Sequence, residues 1–212
     1  MSYDSLAPWY EWAERIRFAD KLQRARTACL DRVPPSPRVL FVGDGDGRLL
    51  EAFVARQSKS SVVSVDLSRR MLELQQQRLG RAGLADRVRW IRADSRSLTV
   101  AGPFDLIVTA FHLDGFDRSE MSQVARNLFD ALKPDGLWYV VDFVVPAGGR
   151  KRRKARFWLR VMIEFFRRTT DLKRRTWVDH REVLSTLPLT VVAENLDRHE
   201  WLHSVLLRRT GG

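Results

Sequence analysis

The chain has 212 residues, enough for one domain with a full core. Its hydrophobic and charged fractions, 44% and 30%, are those of a soluble globular protein, and no apolar run reaches the length of a membrane-spanning helix. One cysteine, Cys29, excludes an intrachain disulfide and an all-cysteine metal site, and its helix-forming neighbours predict a buried, inert thiol. The net charge of +11 is concentrated: Arg150 to Arg175 holds 12 Lys/Arg and 2 Asp/Glu, and the rest of the chain is nearly balanced. Whatever that segment meets is expected to be anionic or interfacial.

The opening MSYDSLAPWYEWAER carries early acids and no apolar signal core, which predicts a cytoplasmic protein. From about Asp4 to Arg32 the pattern is that of one or two helices, with a stripe through Leu6, Trp9, Tyr10, Ala13 and Ile16. The prolines of Val33-Pro34-Pro35-Ser36-Pro37 end it. Strands and helices then alternate. RVLFVG, SVVSVD, RVRWIRAD, FDLIVTAF and LWYVVDFVVP read as strands. GRLLEAFVARQ, SRRMLELQQQRLGRAG and SEMSQVARNLFDALKPDG read as helices, the second stopping at glycine and the third at Lys-Pro-Asp-Gly. After the basic segment come a short helix near Arg181 to Leu187 and two closing strands, TVVAENLDR and HEWLHSVLLRR. Near-continuous apolar strands alternating with helices imply an α/β fold: a parallel sheet covered on both faces, with ligands bound outside the carboxyl ends of its strands.

The chemistry gathers at those ends. The first strand runs into Gly43-Asp44-Gly45-Asp46-Gly47. Glycine lets backbone approach a ligand closely. The spacing is G-x-G-x-G, without the third glycine of a dinucleotide fingerprint or the Gly-Lys-Ser/Thr of a phosphate loop. Asp44 and Asp46 are poor neighbours for a pyrophosphate, so the expected ligand is nucleoside-like, lacks phosphate and carries a positive group. The second strand ends at Asp66, placed to accept from ribose hydroxyls; the alternative is Asp66 as a helix cap, a role that Ser68 could fill. The third ends in Asp94-Ser95, an acceptor for an adenine amino group or an Asx turn. The fourth ends in Phe111-His112.

Taken in order, VLFVGDGDG, VVSVDLSRRML, RADS, FDLIVTAF and LKPDGLWYVVDF resemble the class I S-adenosylmethionine-dependent methyltransferases, from about Arg38 to Phe143. YDSLAPWYEW resembles the small-molecule, quinone-biosynthesis branch. The resemblance implies a Rossmann-like, mostly parallel seven-stranded sheet with a C-terminal antiparallel hairpin and helices on both faces. It divides the chain into an N-terminal helical cap (1–36), a cofactor-binding core (37–145), a basic amphipathic insert (146–175) and a closing helix and hairpin (176–212). It implies S-adenosylmethionine as cofactor and S-adenosylhomocysteine as product. Gly43, Gly45 and Gly47 would surround the methionine part, Asp66 the ribose, and Leu67 the adenine. Asp94 and Ser95 would sit at the adenine amino group, Phe111 and His112 near the sulfonium, and Tyr10 over the site. The family usually has an acid at the position of Phe41 that helps hold the cofactor's ammonium; here Asp44 or Asp46 is expected to supply that charge.

Methyl transfer from a sulfonium needs alignment first and a general base only when the acceptor must lose a proton. His112 is the candidate base, with a pocket-lining role as the alternative; Asp114 and Asp142 are further candidates. His180, His199 and His203 read as peripheral, the last two sharing a strand face without a third metal ligand. In the basic segment, Ala155, Trp158, Leu159, Met162, Phe165 and Phe166 recur at helical spacing, and Phe157 widens the apolar face. Arg150, Lys151, Arg152, Arg153 and Lys154 crowd the unfavourable end of the helix dipole, so helix stability does not explain them. A cover over the substrate site, an anionic membrane surface and a nucleic-acid contact are the three roles open to this segment. The Asn/Asp-Pro-Pro-aromatic motif of base amino methyltransferases is absent, which disfavours nucleic acid. The expected function is methyl transfer to a small, lipophilic acceptor by a cytoplasmic, peripherally membrane-associated enzyme. An RNA methyltransferase, or a non-catalytic cofactor-binding protein with a basic interaction helix, is the alternative.

Overall fold

The computed structural model describes residues 19–35, 38–98, 102–153, 155–157, 159 and 177–211. Among these, the elements run α1 (Ala19–Thr27), β1 (Arg38–Val42), α2 (Arg48–Arg56), β2 (Ser61–Asp66), α3 (Arg69–Arg81), β3 (Val88–Arg92) and β4 (Phe104–Ala110). Then follow α4 (Arg118–Asp130), β5 (Leu132–Phe143), α5 (His180–Leu184), β6 (Leu189–Leu196) and β7 (Leu202–Arg209). The seven strands form one sheet in the order β3-β2-β1-β4-β5-β7-β6. β1 to β5 pair in parallel, and β7 runs antiparallel between β5 and β6. This is the Rossmann-like sheet with an antiparallel closing hairpin that the motif order implies.

The central strands β1 and β4 are almost wholly apolar because both faces of the sheet are covered there, whereas the edge strand β6 is largely exposed. Val39 and Phe41 of β1 enter the core shared with α1 and α2, whereas Leu40 and Val42 enter the core under α4 and α5. Phe41 packs edge-on against Phe53 of α2, ring centroids 5.3 Å apart. α1 is tied to the sheet by polar contacts at its carboxyl end: the Tyr139 hydroxyl donates to the Arg26 carbonyl at 2.9 Å, and Ser204 Oγ donates to that of Ala25 at 2.7 Å. β1 sits between β2 and β4, so the chain leaves it in opposite directions on successive crossovers. That reversal opens a crevice at the carboxyl ends of β1 and β4.

α3 stops as its glycines predict. Gly83 has φ +68°, its N–H donates to the Gly80 carbonyl, and that of Leu84 donates to Leu79, which is a Schellman closure. Three expectations differ from the structure. The Lys-Pro-Asp-Gly stop belongs to β5, not to α4, which ends at Asp130. β5 pairs at Leu132 with Phe104, bulges through Asp135 (φ +59°), and resumes pairing at Leu137 with Leu106. His180 and His203 are buried, not peripheral. His199 does not share the β7 face with His203, because it lies in the turn before the strand, its N–H donating to Asp197. His203 instead faces His180, Nδ1 to Nε2 at 3.0 Å, and Glu194 holds its other nitrogen at 2.8 Å. Cys29 is free and buried, and burial raises its thiol pKa first of all.

Candidate active site

The glycine loop is fixed from below by α3. Gln75, fully buried, accepts from Ser64 Oγ at 2.6 Å and donates to the Gly45 carbonyl at 2.9 Å. One turn on, Arg78 donates to the Asp46 carbonyl and carboxylate, each at 2.8 Å, and Arg48 donates to the same carboxylate at 2.9 Å. Asp46 thus has two guanidiniums and serves to pin the loop. Gly43, Gly45 and Gly47 all have positive φ. At Gly43 a Cβ would lie 2.1 Å from His112 Nδ1, so only glycine lets the turn and the end of β4 close together.

Asp44 is used differently. It is 3% exposed; Oδ2 accepts from Leu50 N at 2.9 Å near the start of α2, and Oδ1 is buried without a hydrogen-bond partner. Burial pushes its carboxyl up to about 7, against the pull of the Arg26 charge. The carboxylate is therefore held ready for a cation that the loop itself does not provide.

The other strand ends converge on the loop. Gly43 N donates to Val65 at the end of β2, and Ala93 N, just past β3, donates to the Asp66 carbonyl. Asp66 Oδ1 accepts from Ser68 N, while Ser68, not Asp66, caps α3 by accepting from Met71 N. Leu67 is 48% exposed, an apolar side chain left open beside Asp66. Asp94 stands at the expected strand end, but its carboxylate is gripped by Arg96, with contacts of 2.6 to 3.0 Å that lower its pKa. Ser95 hydrogen-bonds His112 Nε2 at 3.0 Å. Burial pushes the His112 imidazole down to about 4, with the Asp94 charge opposing, so it is neutral at pH 7. Phe111, φ +53°, is anchored by its N–H to Val141 and by the Phe143 ring at 5.0 Å.

Gly43, Asp44, Asp66, Ser95, Phe111 and His112 are thereby brought to one crevice. Asp142, buried, accepts from the backbone N–H of Asp114 and from its neighbour Phe143, which stiffens the loop after β4. The cleft between the starts of α4 and α5, lined by Asp117, Arg118, Trp177, Asp179 and Glu182, does not include the glycine loop.

Of the insert, residues 149–153, 155–157 and 159 are helical. Arg150, Lys151, Arg152 and Arg153 are exposed; Lys151 pairs with Glu200 at 2.5 Å, and Arg152 donates to the Ala147 carbonyl. Ala155 and Leu159 are buried, and Phe157 is 60% exposed, not part of the buried face. Tyr10, Lys154, Trp158 and Met162 lie outside the described residues.

Residues 39–136 match the model of a methyltransferase domain. That stretch, a little under half of the chain, is similar to a methyltransferase domain. The chain is 27% identical over 148 residues to a ubiquinone/menaquinone biosynthesis C-methyltransferase of Geotalea daltonii, covering 68% of this chain and 62% of that one. The chain spans half to three fifths of the length of such curated relatives. Among solved structures it resembles the N-methyltransferase NodS of Bradyrhizobium japonicum in complex with S-adenosylhomocysteine, with TM-score 0.62, 18% identity, and coverage of 91% and 85% of the two chains. It also resembles an O-methyltransferase family 2 protein of Planctomyces limnophilus complexed with apigenin, with TM-score 0.74, 16% identity, and coverage of 98% and 62%.

The site fits this domain's cofactor. A buried, unpartnered carboxylate oxygen suits an ammonium, a cradle that a Cβ would fill suits close backbone approach, and an open leucine beside Asp66 suits an adenine ring. Sequence reasoning missed Gln75, Arg78 and Arg26. Gln75 and Arg78 had a faint signal, polar residues at i, i+3 on the inner face of an otherwise amphipathic helix; Arg26 had none.

Proposed function

We propose that the protein transfers a methyl group from S-adenosylmethionine to a small, lipophilic acceptor, working at the cytoplasmic surface of an anionic membrane. The observation that carries the donor half is Asp44, a buried carboxylate with one free oxygen inside the glycine turn. When bound, the donor supplies a methyl group already activated on a positively charged sulfur. The chain's own residues then hold and align. Asp44 takes the ammonium, Asp66 the ribose hydroxyls, and Leu67 and Ser95 flank the adenine. Asp94 keeps lone pairs toward the adenine amino group while Arg96 fixes its orientation.

His112 lines the methyl-transfer crevice as a neutral imidazole bound to Ser95. A group with pKa near 4 has little driving force to remove a proton from a phenol or an amine. It acts as a neutral, fixed wall of the crevice, with Nε2 held by Ser95 and Nδ1 turned to Gly43.

The lipophilic acceptor is supported by the quinone-directed name of the relative from Geotalea daltonii and by the exposed basic start of the insert helix with Phe157 outward. Basic side chains near anionic lipid contribute about 1 kcal/mol each, and an exposed phenyl ring suits the interface. The test supplies the protein with methyl-tritiated donor and a bacterial membrane extract, with co-sedimentation on anionic liposomes alongside. Label in the organic phase, and liposome binding lost when Arg150, Lys151, Arg152 and Arg153 are changed to Gln, is the expected result. Label only in added RNA would sink the reading in favour of nucleic acid.

A further inference from the structure

The β6 edge of the sheet carries a surface that the methyl-transfer crevice does not use. Of the five large apolar side chains left exposed among the described residues, three lie on β6: Val191 at 60%, Val192 at 44% and Leu196 at 43%. β6 is the last strand of the sheet and pairs only with β7 among the described residues. Val192 is the extra residue of a bulge, between Val191 opposite Leu207 and Ala193 opposite Leu206. A bulge blunts an edge against pairing with a further strand, so these side chains are not there to extend the sheet. The one charge on the strand, Glu194, is taken up by His203.

The turn after β6 brings this surface to the edge where the crevice opens. β7 starts at Leu202 opposite Phe143, the end of β5, so residues 197–201 stand at the carboxyl edge of the sheet. The insert begins beside them: Val144 N donates to the Trp201 carbonyl at 2.9 Å, and Lys151 Nζ reaches Glu200 at 2.5 Å. Both acids of the turn are engaged, since Glu200 has Lys151 and Asp197 accepts the N–H groups of His199, Trp201 and Leu202. Arg150, Arg153 and Arg198 are exposed and have no ion-pair partner among the described residues. The hairpin tip and the first turn of the insert helix thus present open cations beside open apolar side chains. A second copy of the chain would bring like charges together. A soluble anion would leave Leu196 and Val192 in water. An anionic bilayer surface takes both, headgroups meeting the guanidiniums and acyl chains the apolar side chains.

We propose that the tip of the β6–β7 hairpin, through Val192, Leu196 and Arg198, is a second lipid contact beside the start of the insert, and that together they turn the mouth of the crevice toward an anionic bilayer. This rests on the membrane reading above. It extends that reading, because stable attachment takes two signals and a lone basic segment supplies one. It also gives the acceptor a route, since a lipophilic molecule then leaves the bilayer on the side where the strand ends meet.

The experiment is co-sedimentation with vesicles of phosphatidylglycerol and phosphatidylcholine, compared with phosphatidylcholine alone. Wild type is set against Arg198→Gln, Val192→Ser combined with Leu196→Ser, and Arg56→Gln, the last at the end of α2 on the opposite edge of the sheet. About 1 kcal/mol per basic residue near anionic lipid corresponds to about fivefold in partitioning. Arg198→Gln is expected to weaken binding by about that factor, and Arg56→Gln to leave it within about twofold. The double variant is expected to lose about tenfold or more. In a second measurement, Leu196→Cys carries a polarity-sensitive fluorophore; Cys29 is buried, so the introduced thiol takes the label. Its emission is expected to shift to the blue on adding anionic vesicles, and that of labelled Arg56→Cys to stay unchanged. Wild-type binding that is lost when Arg150, Lys151, Arg152 and Arg153 are changed to Gln, yet is unchanged in the hairpin variants and silent at the label, overturns the proposal and keeps the membrane reading. Equal losses for Arg198→Gln and Arg56→Gln mean unoriented binding and overturn it too. So does a wild-type dimer in sedimentation velocity that the double variant splits, which assigns the strand to a second copy. A wild type that binds no vesicle removes the membrane reading as well.

Discussion

Asp44→Asn should make the protein more stable and a poorer binder of its cofactor. Asparagine keeps an oxygen for the Leu50 N–H and removes a charge that burial opposes. Burial pushes the folded carboxyl up to about 7 from the ordinary aspartate value of 3.8, so ionising it costs the folded state more than the unfolded chain. That cost is absent below the unfolded pKa, grows as pH rises toward 7, and is complete above it. At about 1.4 kcal/mol per pKa unit it approaches about 4 kcal/mol at pH 8, as a ceiling. For a chain of this size about 1 kcal/mol is roughly 2–4 °C in Tm. Thermal unfolding of wild type and variant from pH 4 to 8 should therefore show the variant ahead by several degrees at pH 8 and level at pH 4. Affinity for S-adenosylhomocysteine should fall about 10- to 100-fold, as expected for losing a charged hydrogen-bond partner. A variant less stable at pH 8, or a stability difference that does not change with pH, would refute the reasoning.

Gly43→Ala should cost about 1–2 kcal/mol from the positive φ alone and more from the His112 contact, so thermal unfolding should show a loss partly restored by adding His112→Ala. Tyr139→Phe removes the hydroxyl that donates to Arg26 and accepts from Cys29 N; chemical denaturation should show a loss of about 1–3 kcal/mol, with hydrogen exchange quickened first in α1. Burial lowers the pKa of both His180 and His203 below the unfolded value. Their neutral forms therefore favour folding above about pH 6.5, and that contribution is lost as pH falls below it. Asp179, Arg181 and Glu194 face the pair, and the Glu194 contact to His203 opposes the shift. Unfolding curves should show the stability of His180→Asn improving relative to wild type between pH 7 and pH 5.

The sheet was legible because its signals are local. The central strands are short apolar runs, α2, α3 and α4 carry a 3.6-residue stripe, and glycine marks the turn after β1 and the end of α3. The crevice followed from the same logic, since acids and glycines at successive strand ends must meet when the strands are parallel. What was not legible depends on distant partners. Arg26 reads as one more surface arginine on α1 until Tyr139 and Ser204, more than a hundred residues away, fix that helix on the sheet. His203 looks like a strand-face partner of His199 until the turn at Asp197 places His199 outside β7 and α5 brings His180 over it. Asp44 and Asp46 are alike in sequence; Arg48 and Arg78, the latter 32 residues from Asp46, separate the loop pin from the open carboxylate.

The most direct test of the account is calorimetric titration of the wild-type chain with S-adenosylhomocysteine, with Asp66→Ala as control. The account predicts saturable one-to-one binding that weakens at least about tenfold when the Asp66 carboxylate is removed. No binding at millimolar ligand, or binding indifferent to Asp66→Ala, would contradict it.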